Sequence, residues 1–248
     1  MTVWEALAIL AAGFAAGGIN TVVGSGSLVT FPVLVALGYG SVTANVSNSI
    51  GLVPGGVSGV VGYRRELYGQ WGRTAILSVG TTIGALGGGV LLLALPSSVF
   101  DKVVPLLILL AVVLMAIRPA PRAQTRPTGR HATLGFFGAL FTGVYGGYFG
   151  AAQGIILLSI LRLCFDEHLQ RLNAVKNVLA TVANLVAAIL FVFAAHPAWG
   201  AAGLIAAGSI AGAQVGARYG RRLPQEWLRR IVIVGGTIVA VLLGIRAL

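Results

Sequence analysis

Two apolar stretches in this chain are too long to be single membrane helices and too weak in the middle to stay straight. The first reads GFAAGGINTVVGSGSLVTFPVLVALG from Gly13 to Gly38, the second GFFGALFTGVYGGYFGAAQGIILLSIL from Gly135 to Leu161. Counted from Trp4 to Gly38, the first apolar segment would form a helix roughly 50 Å long, at about 1.5 Å per residue, against a hydrocarbon core of about 30 Å. It must bend. Glycine is the poorest ordinary helix former and serine can satisfy backbone groups that a bend sets free. The bends are therefore expected at Gly24, Ser25, Gly26 and Ser27, and at Gly146, Gly147, Gly150 and Gly154. A duplicated pair of broken membrane helices is the sequence sign of a transporter site.

The composition agrees with a membrane setting. The chain is 57% hydrophobic and 9% charged, whereas a soluble globule carries charge on about a quarter of its residues. Glycine supplies 36 of the 248 residues, which in a bilayer favours close helix packing. The 17 basic residues against 6 acidic ones cluster in short gaps between apolar runs, so they read as topology signals and no nucleic acid is expected. Cys164 is the only cysteine, and His131, His168 and His196 lie at or between segment ends without metal-like spacing; no metal or cofactor is expected. The opening MTVWEALAIL carries Glu5 where a secretory signal would carry basic residues, so it reads as a retained first membrane segment.

Apolar runs cover 4–38 (broken), 42–62, 74–95, 99–117, 132–161 (broken), 172–195, 199–217 and 228–245. Four and four suggests duplication: residues 1–117 form a first transmembrane repeat and 132–248 a second. Between them RPAPRAQTRPTGRH, 118–131, is a cytoplasmic Arg/Pro linker. Gly80, Gly84 and Gly88 correspond to Gly208, Gly212 and Gly216 at an offset of 128 residues, as do Trp71 and Pro96 to Trp199 and Pro224. These small-residue faces fit packing within the chain better than a dimer interface, with a homodimer left open. Arg64, Arg65 and Arg73, the four linker arginines, and Arg218, Arg221, Arg222, Arg229 and Arg230 mark inside loops. The gaps at 95–101 and 195–199 belong outside. The expected fold is thus an all-α membrane protein of two inverted-topology repeats, each a broken, re-entrant helical hairpin followed by three transmembrane helices.

Each bend leaves backbone N–H groups unpaired, and the half-helix after it points its positive end at the break. That favours an anion. Ser25 and Ser27 add donors at the first bend beside Gly26, and Gln153 beside Gly154 at the second. The helix after each bend is polar for a bilayer, with Asn45, Ser47 and Asn48 in the first and Asn173, Lys176 and Asn177 in the second. Lys176, one of two lysines among fifteen arginines, either snorkels or acts as a counter-charge. Asn20 is a further donor. The first bend is expected to meet the start of the 172–195 helix, and the second to meet Asn45 and Asn48.

GFAAGGINTVVGSGSLVTFPVLVALG followed by ANVSNSIGLVPGGVSGVVGYRRE resembles the N-terminal signature of the TauE/SafE family of membrane proteins, described as sulfite exporters. GFFGALFTGVYGGYFGAAQGIILL followed by NAVKNVLATVANLVAAILF resembles that family's second repeat, and together they cover nearly the whole chain. The resemblance implies a multi-pass transporter of small sulfur-containing anions, such as sulfite or organosulfonates, in the cytoplasmic membrane. On that reading, Asn20, Ser25, Gly26, Ser27, Asn45, Asn48, Gln153, Gly154, Lys176 and Asn177 line the substrate site, without cofactor. A channel-like anion pathway is the second transport reading. A membrane-embedded enzyme is a third, for which Cys164 and His168 are the only paired nucleophile and base in the chain.

Overall fold

The computed structural model describes residues 1–116 and 129–220. The apolar run at 228–245 and most of the linker lie outside them. The described residues form nine helices: α1 (Val3–Val22), α2 (Ser27–Ala36), α3 (Ser41–Gly62), α4 (Trp71–Ala94), α5 (Ser97–Ala116), α6 (Gly129–Tyr148), α7 (Gln153–Cys164), α8 (Leu169–Ala194) and α9 (Trp199–Tyr219). Among them α1, α4, α8 and α9 are long and apolar enough to cross a membrane. Helix α6 begins at Gly129, inside the stretch expected to be linker. A capping box starts α1: Glu5 N donates to Thr2 Oγ1 at 3.3 Å and Thr2 N to Glu5 Oε2 at 2.8 Å.

Both long stretches break, and both break the same way. Val23 N and Gly24 N converge on Ile19 O at 2.7 and 3.0 Å, and Phe149 N and Gly150 N on Tyr145 O at 2.9 Å each. Gly24 has φ 91° and Gly150 φ 74°, left-handed conformations that end a helix at no Cβ cost. The second break is narrower than its glycines suggest. Gly146 and Gly147 remain in α6 and Gly154 lies in the first turn of α7. Gly147 is needed for contact instead, since a Cβ there would collide with the Ala85 carbonyl of α4, and one on Gly146 would strike the Gln153 side chain.

The duplicated glycine faces close the bundle across the two halves. A Cβ on Gly208, Gly212 or Gly216 of α9 would run into the backbone of Leu10, Phe14 or Gly18 on α1; Gly80, Gly84 and Gly88 of α4 stand in the same relation to Phe136, Leu140 and Val144 on α6. Contacts that advance in step mean parallel helices, so α1 runs with α9 and α4 with α6. Helix α3 joins the first pair, Gly51 lying against Ile205, Gly55 against Ser209 and Gly62 against Ala217. Helix α8 joins the second, with Gln70 Nε2 on Arg171 O at 3.3 Å at one end and Gly89 beside Leu190 near the other. Because α3 turns into α4 through the short segment 63–70, the two groups run in opposite directions.

Such contacts leave no room for a methyl group. Gly84→Ala and Gly212→Ala are each expected to cost about 1–3 kcal/mol by overpacking, while Gly87→Ala, which faces open space, leaves stability unchanged or slightly raised; thermal unfolding in detergent measures all three.

The arginine-bearing ends gather on one face. Tyr63 Oη donates to Gln170 Oε1 at 3.3 Å, Arg73 pairs with Glu167 at 3.6 Å and its guanidinium lies 4.4 Å from the Phe165 ring centre. Gly220, just beyond Arg218, packs against Val22 beside them. The opposite face brings Ala198 N to Ser47 Oγ at 2.8 Å and joins Ser41 to Asp101. It carries Lys102 and, among the described residues, no arginine.

The junction of the two breaks as candidate functional site

The two breaks meet each other. Gly154 N, an amide in the first turn of α7 with no helical partner, donates to Gly24 O at 3.0 Å. Such an approach requires glycine on both sides: a Cβ on either residue would lie 2.5 Å from the other's Cα. Neither half-helix after a break has a side-chain cap, for Gly26 precedes α2 and Ala152, at φ 59°, precedes α7. Their positive ends point into the junction with no acidic group capping them among the described residues.

Helix α8 walls the first break. Lys176 Nζ donates to Asn20 O at 2.9 Å and Thr21 O at 3.4 Å. Asn173 Nδ2 and Asn177 Nδ2 reach Thr21 O at 3.2 and 3.3 Å. These are the last carbonyls of α1, where the helix dipole is negative and a cation is favoured. Lys176 is 0% exposed and makes no ion pair among the described residues. Its slot is tight, with Cδ 3.1 Å from where a Gly154 Cβ would sit.

Helix α3 walls the second break from the other side. Asn45 Nδ2 donates to Tyr148 O, the last residue of α6, at 2.9 Å. Asn48, expected beside it, turns to the first hairpin: its Nδ2 donates to Ser27 Oγ at 3.2 Å and its Oδ1 accepts from Thr30 Oγ1. Ser27 and Thr30 lie three residues apart on one face of α2 and together satisfy both ends of that amide. Asn20 Oδ1 accepts from Gly26 N at 3.5 Å, holding the first bend closed.

Four buried polar atoms at this junction have no partner: Ser25 Oγ, Gln153 Nε2, Asn45 Oδ1 and Asn173 Oδ1. Ser25 is 1% and Gln153 3% exposed, and a buried unsatisfied group costs about 1–3 kcal/mol. A cavity of about 10 Å³, lined by Asn20, Thr21, Asn177, Thr181 and Ser209 among others but by none of those four residues, has room for about one water. The structure thus brings Asn20, Ser25, Gly26, Ser27, Gln153, Gly154, Lys176 and Asn177 to one junction, with Asn45 and Asn48 bracing it from α3. Asn173 and the Gly24 carbonyl join them. The sequence singles out Asn173 with Lys176 and Asn177, one turn before them on the same helix face, though not among the expected substrate-site residues; a backbone carbonyl has no sequence signal beyond the glycine itself.

The paired nucleophile and base are placed elsewhere. His168 Nδ1 accepts from Gln170 N at 3.4 Å and caps α8, while Cys164 is buried at the end of α7. Among the described residues no three His, Cys, Asp or Glu side chains group as metal ligands.

Residues 9–243 match the family described as Sulfite exporter TauE/SafE. The chain is 25% identical to a "Probable membrane transporter protein" of Haemophilus influenzae, over 93% of this chain and 91% of that one. It is 22% identical to "Probable membrane transporter protein YfcA" of Escherichia coli, over 91% and 84%. A third relative, "Probable membrane transporter protein ORF9" of Sinorhizobium sp, is 22% identical over 97% and 91%. No solved structure gives a significant match. Nearly the whole chain, broken stretches and membrane-length helices included, carries the match, and the protein belongs to the sulfite exporter TauE/SafE family of multi-pass membrane proteins.

Proposed function

We propose that the protein is a secondary transporter of a small sulfur-containing anion, of the sulfite or organosulfonate class, working by alternating access at the junction of the two breaks. The observation that carries the reading is Lys176, a buried ammonium with no acidic partner among the described residues, set beside the unpaired donors Ser25 and Gln153. A cation, two side-chain donors and two helix N-termini without a side-chain cap suit a compact oxyanion. The family's description and the relatives' names support transport, and sulfur chemistry enters from the family's description.

The two halves are inverted repeats on this reading. The opposed directions of the α1–α3–α9 and α4–α6–α8 groups support it, as do the matched breaks. The arginine-rich face is cytoplasmic by the positive-inside rule, and the opposite face with Lys102 is outside. Sliding one hairpin tip past the other breaks the Gly24–Gly154 bond and exposes the junction to alternate sides. Both glycine faces are filled within the chain, so a homodimer would use another surface.

Flux in proteoliposomes tests the proposal, with sulfite, thiosulfate, sulfate, organosulfonates and carboxylates as a panel. Saturable uptake of a sulfur anion with counterflow is expected. Unsaturable flux without counterflow would favour the channel reading, and no response to any sulfur anion would sink the substrate assignment.

A further inference from the structure

A recess of about 620 Å³, lined by Phe31, Ser41, Thr43, Ser98, Asp101 and Lys102 among others, opens on the face that carries, among the described residues, no arginine. Ser41 is joined to Asp101, while Ser98, Asp101 and Lys102 stand exposed in the recess and call for water or a polar solute, because lipid satisfies neither hydroxyls nor charges. Phe31 lines the recess and belongs to a cluster of three rings. Phe31 of α2 lies there almost fully buried, with its ring centre 5.1 Å from that of Phe149 and 6.5 Å from that of Phe100. Phe100 and Phe149 close the triangle at 5.9 Å, all three pairs edge to face.

The three rings come from three separate elements. Phe31 is four residues past the start of α2, about 6 Å of helix from the first break. Phe149 belongs to the second break, next to the Tyr148 carbonyl that holds Asn45. Phe100 comes from α5, which also supplies Ser97 and Ser98 to the recess wall. The ring cluster thus links the recess wall, through Phe31, to the second break, through Phe149, and the hairpin motion that parts Gly24 from Gly154 would also part Phe31 from Phe149.

We propose that the recess is the outer antechamber of the anion route, and that Phe31, Phe100 and Phe149 form the gate closing it from the junction in this conformation. The proposal rests on the transport reading for its ligand but not for its geometry. Thiol labelling from outside tests it, using an impermeant anionic methanethiosulfonate on intact cells, with the unsubstituted protein and its single buried Cys164 as background. Ser98→Cys is expected to label readily and Ser25→Cys to stay protected. Adding Phe31→Ala should speed labelling of Ser25→Cys at least about tenfold, in line with losing the ring contacts that hold the gate; Phe149→Ala does the same where Phe31→Ala fails to fold. The gate is overturned if Ser25→Cys labels as fast with Phe31 in place, or if neither ring variant changes its rate. It is equally overturned if Ser98→Cys labels only from the arginine-rich face. Expected labelling without anion flux would retire the transport reading alone.

Discussion

Lys176→Gln is expected to leave a folded protein that no longer moves its anion. Glutamine can still donate to Asn20 O and Thr21 O, the two carbonyls that Lys176 Nζ now holds, so the end of α1 stays capped. What it lacks is the charge. A hydrogen bond to a charged group contributes about 1.5–3 kcal/mol, so its loss should lower flux at subsaturating substrate by about 10- to 150-fold. Lys176→Met removes cap and charge together and should lower the unfolding temperature as well. Lys176→Arg is no rescue, because the guanidinium is larger and planar and the slot beside Gly154 is already tight. Flux alongside thermal unfolding separates the roles: if Lys176→Gln transports normally, the lysine is a helix cap and nothing more.

Gly24→Ala should be the most destabilising single methyl group in the described chain. It forces a Cβ onto a residue at φ 91°, costing about 1–3 kcal/mol in strain. The same Cβ lies 2.5 Å from Gly154 Cα, adding about 1–3 kcal/mol of overpacking. Together these approach the whole stability of a marginal fold. Gly38→Ala is the control, for its φ is 90° and a Cβ there meets nothing within 4 Å. It should show the strain alone. Equal losses for the two variants, measured by unfolding in detergent, would mean that the tip-to-tip contact contributes nothing.

The breaks were legible from sequence because length and glycine conflict: no straight helix fits, and Gly24 and Gly150 supply the left-handed residues. Gly146 and Gly147 were not separable from them. A glycine that lets the chain turn and one that lets a neighbouring backbone approach are the same letter, and only the position of Ala85 shows which role Gly147 plays. Lys176 and Asn177 stood out since polar groups in a membrane helix need a reason. Asn48 stood out too, yet its partners are Ser27 and Thr30 rather than the second bend, a choice made by helix rotation that spacing does not encode. Phe31, Phe100 and Phe149 read as ordinary apolar residues, far apart in sequence; only the fold brings them together.

The central claim is that an anion sits at the junction of the two breaks. Its most direct test is thermal unfolding of the purified protein titrated with sulfite and with sulfonates, against chloride as control. A ligand at about 100 times its Kd stabilises the folded state by about 2.7 kcal/mol. The account predicts such a saturable rise for the wild type, and its loss in Lys176→Gln and in Ser25→Ala with Gln153→Leu. A rise of the same size in those variants, or no rise with any sulfur anion, would contradict it.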